Sequence, residues 1–185
     1  MFIQTEDTPN PDTLKFMPGD KVLKSGSVDF SSIESSSNSP LATRLFEVEG
    51  VSRVFLSSDF ISVTKNSSLE WNALKPSILT GIMEHYSSGL PAINIEEQTS
   101  ENNSEEDTET IKQIKDLLET RVRPAVAMDG GDISFCSFDA GVVTLQMKGA
   151  CAGCPSSTAT LKMGIENMLR HYIPEVTEVK AAELS

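Results

Sequence analysis

The feature that most limits how this chain can fold is an acidic stretch between residues 96 and 109. It holds seven aspartates and glutamates and no lysine or arginine, and serine, threonine and asparagine make up most of the rest. A segment of this composition cannot bury enough apolar surface to fold. We therefore expect a flexible acidic linker, assigned to residues 94–107, between two independent domains of residues 1–93 and 108–185.

Strand and helix signals before the acidic stretch predict a small α+β domain. Strands are expected at residues 2–6, 14–17, 28–30, 51–56 and 60–64, with a hairpin turn between the last two. One helix should start at Pro40, with Ser39 as its N-cap and Gly50 as its stop. A second helix is expected over residues 69–86, with Trp71 as a core anchor and Pro76 either in the first turn or at a kink.

The residues after the acidic stretch predict a second α+β domain. A helix should run from residue 108 until Pro124 bends or ends it, and its inward face is expected to carry Ile111, Ile114, Leu117, Leu118 and Val122. Strands at 133–138 and 142–147 should form a hairpin around Ala140 and Gly141. A last helix, stopped by Pro174, and a short strand at 176–179 should complete the domain. The inward face of that helix should carry Leu161, Ile165, Met168, Leu169 and Tyr172.

Two of the three cysteines, Cys151 and Cys154, lie between the second hairpin strand and the last helix. This spacing lets both sulfurs bind one metal or cluster, or form a small disulfide ring, and spacing alone leaves a structural zinc clip and a redox disulfide as open as a cluster. The start of the helix favours thiolate, with Pro155 suited to that start and Ser156 or Ser157 as possible caps. Small neighbouring residues leave room for a bulky ligand in an exposed loop.

The other reactive side chains have structural interpretations. Cys136 is expected to be a small buried hydrophobe on a strand rather than a ligand. His85 and His171 are expected at the surface, since neither has ligand spacing to the cysteine pair. Asp129 and Asp132 flank two glycines, and we interpret them as turn residues without a catalytic role.

Composition narrows the partners and the compartment. A net charge of −12 argues against binding to nucleic acid or to an anionic membrane. An odd number of cysteines, two of them in a CxxC pair, indicates a reducing compartment. The first residues have neither a secretory nor a transit-peptide pattern, and no apolar run is long enough to span a membrane. We expect a soluble protein of the bacterial cytoplasm, or of the mitochondrial matrix if a presequence was removed.

Several separate stretches resemble the NifU/Nfu family of iron–sulfur carriers. Between about Glu109 and Val179 the matching stretches, in order, are Met128-Asp129-Gly130-Gly131-Asp132-Ile133, Gly141-Val142-Val143 and the run from Lys148 to Ser157 that contains the CxxC pair. The run from Thr8 to Phe16 is similar to the opening of the separate N-terminal domain of the Nfu branch. The resemblance favours an iron–sulfur cluster over zinc or a disulfide.

The resemblance implies a non-enzymatic scaffold or carrier that binds a [4Fe–4S] cluster, or a [2Fe–2S] cluster, through Cys151 and Cys154. Clusters usually need four thiolates, so two chains would each supply this pair across a symmetric homodimer. The partners expected are upstream cluster-assembly proteins and apo iron–sulfur client proteins, with no nucleic acid and no membrane. Two rival functions remain: a CxxC thiol-disulfide oxidoreductase, with Cys151 as nucleophile and Cys154 as resolving thiol, and a structural zinc protein.

Overall fold

The computed structural model describes residues 1–94, 108–151 and 155–182, with the backbone alone at 155–158. The chain divides into two compact units, Met1–Gln98 and Thr99–Ser185, and each combines helices with a sheet. This confirms the predicted fold class of two small α+β domains. Apart from Asn94 the predicted linker lies outside the described residues, as do Ala152, Gly153 and Cys154, and the boundaries at 93 and 108 stay predictions.

The first unit is an antiparallel sheet packed against two helices. Its elements are β1 (Gln4–Asp7), β2 (Thr13–Met17), β3 (Val28–Phe30), α1 (Pro40–Phe46), β4 (Val51–Leu56), β5 (Ile61–Lys65) and α2 (Trp71–Ser88). The five strands are ordered β1-β2-β5-β4-β3, and every neighbouring pair is antiparallel. One face of the sheet packs with both helices around a core that contains Phe16, Leu45, Val63, Ile78 and Ile82.

Local signals in this unit are mostly confirmed. The Ser39 side chain caps α1 by accepting a hydrogen bond from the Ala42 amide, as predicted from the Ser-Pro pair. The helix ends at Phe46, before Gly50, which instead has a φ of +99° just ahead of β4. Pro76 is the sixth residue of α2 and not in its first turn, and the helix continues through it.

The second unit places a three-stranded sheet against helices. Its elements are α3 (Glu109–Leu117), a π-helical turn (Leu118–Val122), α4 (Arg123–Met128), β6 (Gly131–Asp139), β7 (Val142–Gly149), α5 (Pro155–Tyr172) and β8 (Glu178–Ala181). The order is β6-β7-β8, with an antiparallel β6–β7 hairpin and a parallel β7–β8 pair. Ala140 and Gly141 both have positive φ, as in a tight hairpin turn, so the predicted hairpin is confirmed.

Three expectations for this unit need correction. Pro124 does not end the helical segment: a wider π turn ends at Val122, and the chain continues as α4, with Pro124 as its second residue. The alternative that Pro124 bends the helix stays a prediction. Tyr172 is exposed, while Ile165 and Leu169 do face the core and Ile173 joins them there. Helix α5 begins at Pro155, so Ser156 and Ser157 lie within its first turn and neither is the N-cap.

Candidate functional site

Strand β7 leads the chain directly to the cysteine pair. Its side chains alternate, so Val143, Leu145 and Met147 are buried as predicted. At the end of the strand Gly149 has a φ of +64°, a backbone conformation that glycine adopts without strain. The next residue, Ala150, is buried, and its amide donates to the Gly130 carbonyl at 3.2 Å. The end of β7 is therefore tied to the turn that precedes β6.

Cys151 lies within the core of the second unit, not in an exposed loop. Only 7% of its surface is accessible, and it belongs to the same apolar cluster as Leu145 and Ile165. The exposed position expected for this side chain is wrong, because the tie between the two glycine turns brings the end of β7 back over the start of β6. Cys154 lies outside the described residues.

Gly131 supplies the surface against which the Cys151 side chain packs. A Cβ at Gly131 would overlap Cys151 Sγ, and it would lie 3.1 Å from Cys151 Cβ and 3.0 Å from the Lys148 carbonyl oxygen. Only a residue without a side chain leaves room for this contact. The sequence indicated a glycine turn here, but it did not indicate that the second glycine packs against the cysteine.

Asp132, the next residue, is a buried ion-pair partner and not only a turn residue. Its two carboxylate oxygens accept from Arg123 Nε at 3.0 Å and from Arg123 Nη2 at 3.1 Å, and Oδ1 also accepts from the Ile133 amide at 2.8 Å. Arg123 also pairs with Glu119, one turn earlier. The bond to Asp132 raises the pKa of the arginine, which stays charged. This bidentate pair fixes α4 to the start of β6.

Asp129 is an exposed residue that caps the C-terminus of α4, in agreement with its predicted role in the turn. Nothing in the sequence pattern distinguishes it from Asp132. The difference arises from Arg123, which lies nine residues before Asp132. The turn brings Asp132, but not Asp129, back to the guanidinium of Arg123.

Helix α5 follows the cysteine pair directly in the sequence. The helix is 18 residues long and begins at Pro155, immediately after Cys154 in the sequence. The partial positive charge at a helix N-terminus lowers the pKa of a neighbouring thiol and favours the thiolate, the form that binds metals. Among the residues that the structure describes, no three of His, Cys, Asp and Glu are grouped as a metal site.

Cys136 is exposed, so its predicted burial is wrong. It lies where the β6–β7 register shifts between Phe135 and Ser137, at a bulge in the ladder. Partial desolvation raises the pKa of its thiol, against a smaller opposing effect of Lys148. The thiol form is therefore favoured at neutral pH, and the absence of a metal-binding role for Cys136 stays a prediction.

The two histidines differ in their surroundings. His171 is exposed near the end of α5, as predicted. His85 is buried in α2, so its predicted surface position is wrong. Its Nδ1 makes no hydrogen bond within the part of the chain that the structure describes. Burial, and to a lesser extent Arg44, lowers the pKa of His85, which is therefore neutral in the folded unit.

The run from Thr8 to Phe16 contains a hydrogen-bonded turn at residues 8–12 and the first four residues of β2. Asp12 accepts from Lys65 Nζ and from Ser67 Oγ, each at 2.8 Å. The Trp71 indole N–H donates to the Pro11 carbonyl at 3.0 Å. Lys65 Nζ lies 5.8 Å from the centre of the Trp71 ring. Trp71 is only partly buried, so it anchors this turn rather than the middle of the core.

None of the described helices combines the length and the apolar character needed to cross a membrane.

Comparisons with known proteins agree with the two-unit division. Residues 3–89 match the family model described as scaffold protein Nfu/NifU N terminal, and residues 114–180 match that of the NifU-like domain. The chain is 51% identical over 185 residues to NifU-like protein 4, mitochondrial, of Arabidopsis thaliana, an alignment that covers 97% of this chain and 65% of that protein. It is 52% identical over 181 residues to the human NFU1 iron-sulfur cluster scaffold homolog, mitochondrial, covering 97% and 71%.

The chain thus spans about two thirds of the length of these curated relatives. Among solved structures, a NifU-like protein from Saccharomyces cerevisiae matches with a TM-score of 0.47 and 26% identity, over 52% of this chain and 87% of the other.

Proposed function

Because the chain belongs to the Nfu/NifU scaffold family, we propose that it receives an iron–sulfur cluster and delivers it to apo-proteins. The cluster is cargo, bound by Cys151 and Cys154 and then surrendered to the cysteines of a client. We assign a [4Fe–4S] cluster, shared between two chains. The relatives whose names state a mitochondrial location support assignment to the mitochondrial matrix.

The observation that carries this proposal is the position of Cys151. Its side chain packs between the end of β7 and the glycine turn before β6, and α5 begins four residues later. Once the side chain has left the core, the N-terminus of α5 would favour its thiolate form. Gly131, against which the sulfur packs, adds no side chain of its own to the cover over it.

Ligand number supports a shared site. Iron–sulfur clusters usually take four thiolates, and this chain has three cysteines, of which Cys136 lies within β6 with its thiol form favoured. Two copies of the Cys151 and Cys154 pair complete the set with a two-fold axis between them. A cluster held by two chains is released when the chains separate, which suits transfer.

The burial of Cys151 affects how the cluster is taken up. With 7% of its surface accessible, this side chain has to move outward before its sulfur can bind iron together with a second chain. Return of the side chain to the core removes one ligand from the cluster. Competition between burial and iron binding therefore favours a cluster that is held and then given up.

Transfer to a client is the direct test of a carrier. The loaded chain is mixed anaerobically with an apo-protein that needs a [4Fe–4S] cluster, with and without an iron chelator, and client activity is followed with time. We expect activation within minutes, faster than with equal free iron and sulfide, and unaffected by the chelator. Activation that disappears with the chelator would mean that the cluster dissolves and is rebuilt, and the carrier function would be rejected.

Three single substitutions test the ligand assignment. Cys151→Ser and Cys154→Ser should each abolish cluster binding and the dimerisation that accompanies it, while Cys136→Ser is the matched control and should preserve both. Absorption and Mössbauer spectra distinguish an iron–sulfur cluster from zinc. Disulfide reduction at a useful turnover by the metal-free chain would instead identify a thiol-disulfide oxidoreductase.

A further inference from the structure

We propose that Gly131 is a positioning residue for Cys151, and that the Arg123–Asp132 pair holds it in place. Together these three residues set how readily the Cys151 thiol leaves the core. The inference rests on the proposed function for its importance to cluster uptake, but the contacts that carry it are those of the protein alone.

The packing around Gly131 leaves no space for a side chain. The overlap of an added Cβ with Cys151 Sγ could be relieved by rotation of the thiol, but the contacts of 3.0 Å with the Lys148 carbonyl oxygen and 3.1 Å with Cys151 Cβ involve atoms that such a rotation does not move. The backbone of the Cys151 segment would therefore have to shift. Because Cys151 belongs to a filled apolar cluster, the free direction is outward.

The position of Gly131 is itself fixed from both sides. It pairs with Gly149 across the β6–β7 ladder, and the preceding carbonyl, that of Gly130, accepts from the Ala150 amide. On the other side, Asp132 is bound by the two nitrogens of Arg123. A loss of this ion pair would free the first residues of β6 and loosen the surface on which Cys151 rests.

The test measures alkylation of Cys151 in the full-length, metal-free chain. In a Cys154→Ser background two cysteines remain, Cys136 and Cys151, and tryptic peptides separate them. Iodoacetamide is added, and mass spectrometry follows both sites with time. The exposed Cys136 is the internal reference, so the result is the ratio of the Cys151 rate to the Cys136 rate.

Gly131→Ala should raise this ratio by about tenfold, since a methyl group forced into a filled site displaces its neighbour. The matched control is Gly141→Ala, which strains a residue with a φ of +83° and brings a Cβ within 2.7 Å of Thr177 Oγ1. Gly141 lies at the opposite end of the β6–β7 ladder, roughly 25 Å away at ~3.3 Å per residue. The Gly141→Ala variant should destabilise the second unit but leave the rate ratio within about twofold of the wild-type value. Destabilisation far from Cys151 exposes this side chain only when the whole unit opens, which is rare.

A second control is Gly164→Ala, which adds a Cβ in α5 where nothing lies within 4 Å. It should leave the ratio of the two alkylation rates unchanged. An unchanged ratio in folded Gly131→Ala would overturn the proposal, as would an equal rise in Gly141→Ala. If circular dichroism shows that Gly131→Ala is unfolded, the Asp132→Asn variant is measured instead. A several-fold rise in its Cys151 to Cys136 rate ratio supports the proposal, and an unchanged ratio overturns it.

The outcome is separable from that of the proposed function. Alkylation needs no cluster, so a rise in the ratio with a wild-type chain that binds no cluster would keep the positioning role and reject the carrier. If the wild type binds a cluster but the ratio does not change in Gly131→Ala, the carrier function is kept and the positioning role is rejected.

Discussion

Removal of the Asp12 carboxylate should destabilise the first unit by an amount that follows from the exposure of the two charges. The carboxylate accepts from Lys65 Nζ and Ser67 Oγ, and the Lys65 side chain is only 7% exposed while that of Asp12 is 32% exposed. Breaking a buried ion pair costs about 3–5 kcal/mol, and an exposed pair contributes about 0–1 kcal/mol. This pair lies between the two limits, so Asp12→Ala should cost about 2 kcal/mol, or a fall of roughly 8–16 °C in Tm.

A double variant separates the lost pair from other effects of the substitution. In Asp12→Ala the Lys65 ammonium keeps its buried position without its carboxylate, and Lys65→Met removes that charge while it preserves most of the side-chain volume. The double variant should therefore cost less than the sum of the two single variants, with a coupling of about 1 kcal/mol or more.

The assay is urea unfolding followed by the emission of Trp71, the chain's single tryptophan, whose indole is bound to the same turn. The control is Glu84→Ala, because Glu84 is 60% exposed and its partner Arg44, at 2.8 Å, is 34% exposed. It should cost less than about 0.5 kcal/mol. Equal costs for Asp12→Ala and Glu84→Ala, or exact additivity in the double variant, would refute the assignment of this ion pair.

The same pair predicts a pH dependence. The hydrogen bond from Lys65, followed by that from Ser67, holds the pKa of Asp12 below its ordinary value of 3.8. The folded unit therefore binds fewer protons than the unfolded chain between the folded pKa and 3.8. The stabilisation is complete above pH 3.8 and is lost as the pH falls through the folded pKa. The difference between wild type and Asp12→Ala should shrink over that acidic range, and a difference independent of pH would contradict the assignment.

Three further predictions test other parts of the two units. Burial lowers the pKa of His85 below 6.5, so the urea midpoint of the first unit should be independent of pH above 6.5 and should fall as the pH drops below 6.5. His85→Phe should reduce this dependence on pH, and an unchanged dependence would assign the titration to another group. Ser39→Ala removes a helix cap and a 2.5 Å bond to the Ala92 carbonyl and should cost about 1–2 kcal/mol, whereas Ser39→Thr should cost less; equal costs would contradict the cap. Leu145→Ala empties a fully buried position and should cost the second unit about 2–5 kcal/mol by far-UV circular dichroism, with the Trp71 transition unchanged; a shift of both transitions would show that the units unfold together.

Features that depend on neighbouring residues in the sequence could be predicted. The cap on α1 follows from a serine directly before a proline, and the burial of Val143, Leu145 and Met147 follows from simple alternation along one strand. The turn at Ala140 and Gly141 is also local. Each of these depends on backbone geometry within a few residues, and tertiary contacts reinforce it without changing it.

Features that depend on contacts between distant segments could not be predicted. The role of Gly131 requires knowledge that Cys151 folds back over it, and the role of Asp132 requires its pairing with Arg123. Burial of His85 was missed because a polar ring was assumed to face solvent. Cys136 was missed for the opposite reason: alternation from Ile133 pointed away from the core, and the general tendency of cysteine to be buried was given more weight.

Only part of the candidate site could therefore be predicted from the sequence. The spacing of Cys151 and Cys154 predicted the place, and the family resemblance predicted the chemistry that we propose for it. The burial of Cys151 against a bare glycine backbone emerged only from the fold. It changes the expected mechanism, because uptake of a cluster then requires a side chain to leave the core.

Native mass spectrometry of the anaerobically loaded chain would show whether two chains share one cluster through Cys151. It reports chain number and bound inorganic mass in one spectrum. We expect a species of two chains with four irons and four sulfides for the wild type and for Cys136→Ser, and only bare single chains for Cys151→Ser. A single chain carrying the whole cluster, a mass that corresponds to zinc, or full loading of Cys151→Ser would contradict this expectation.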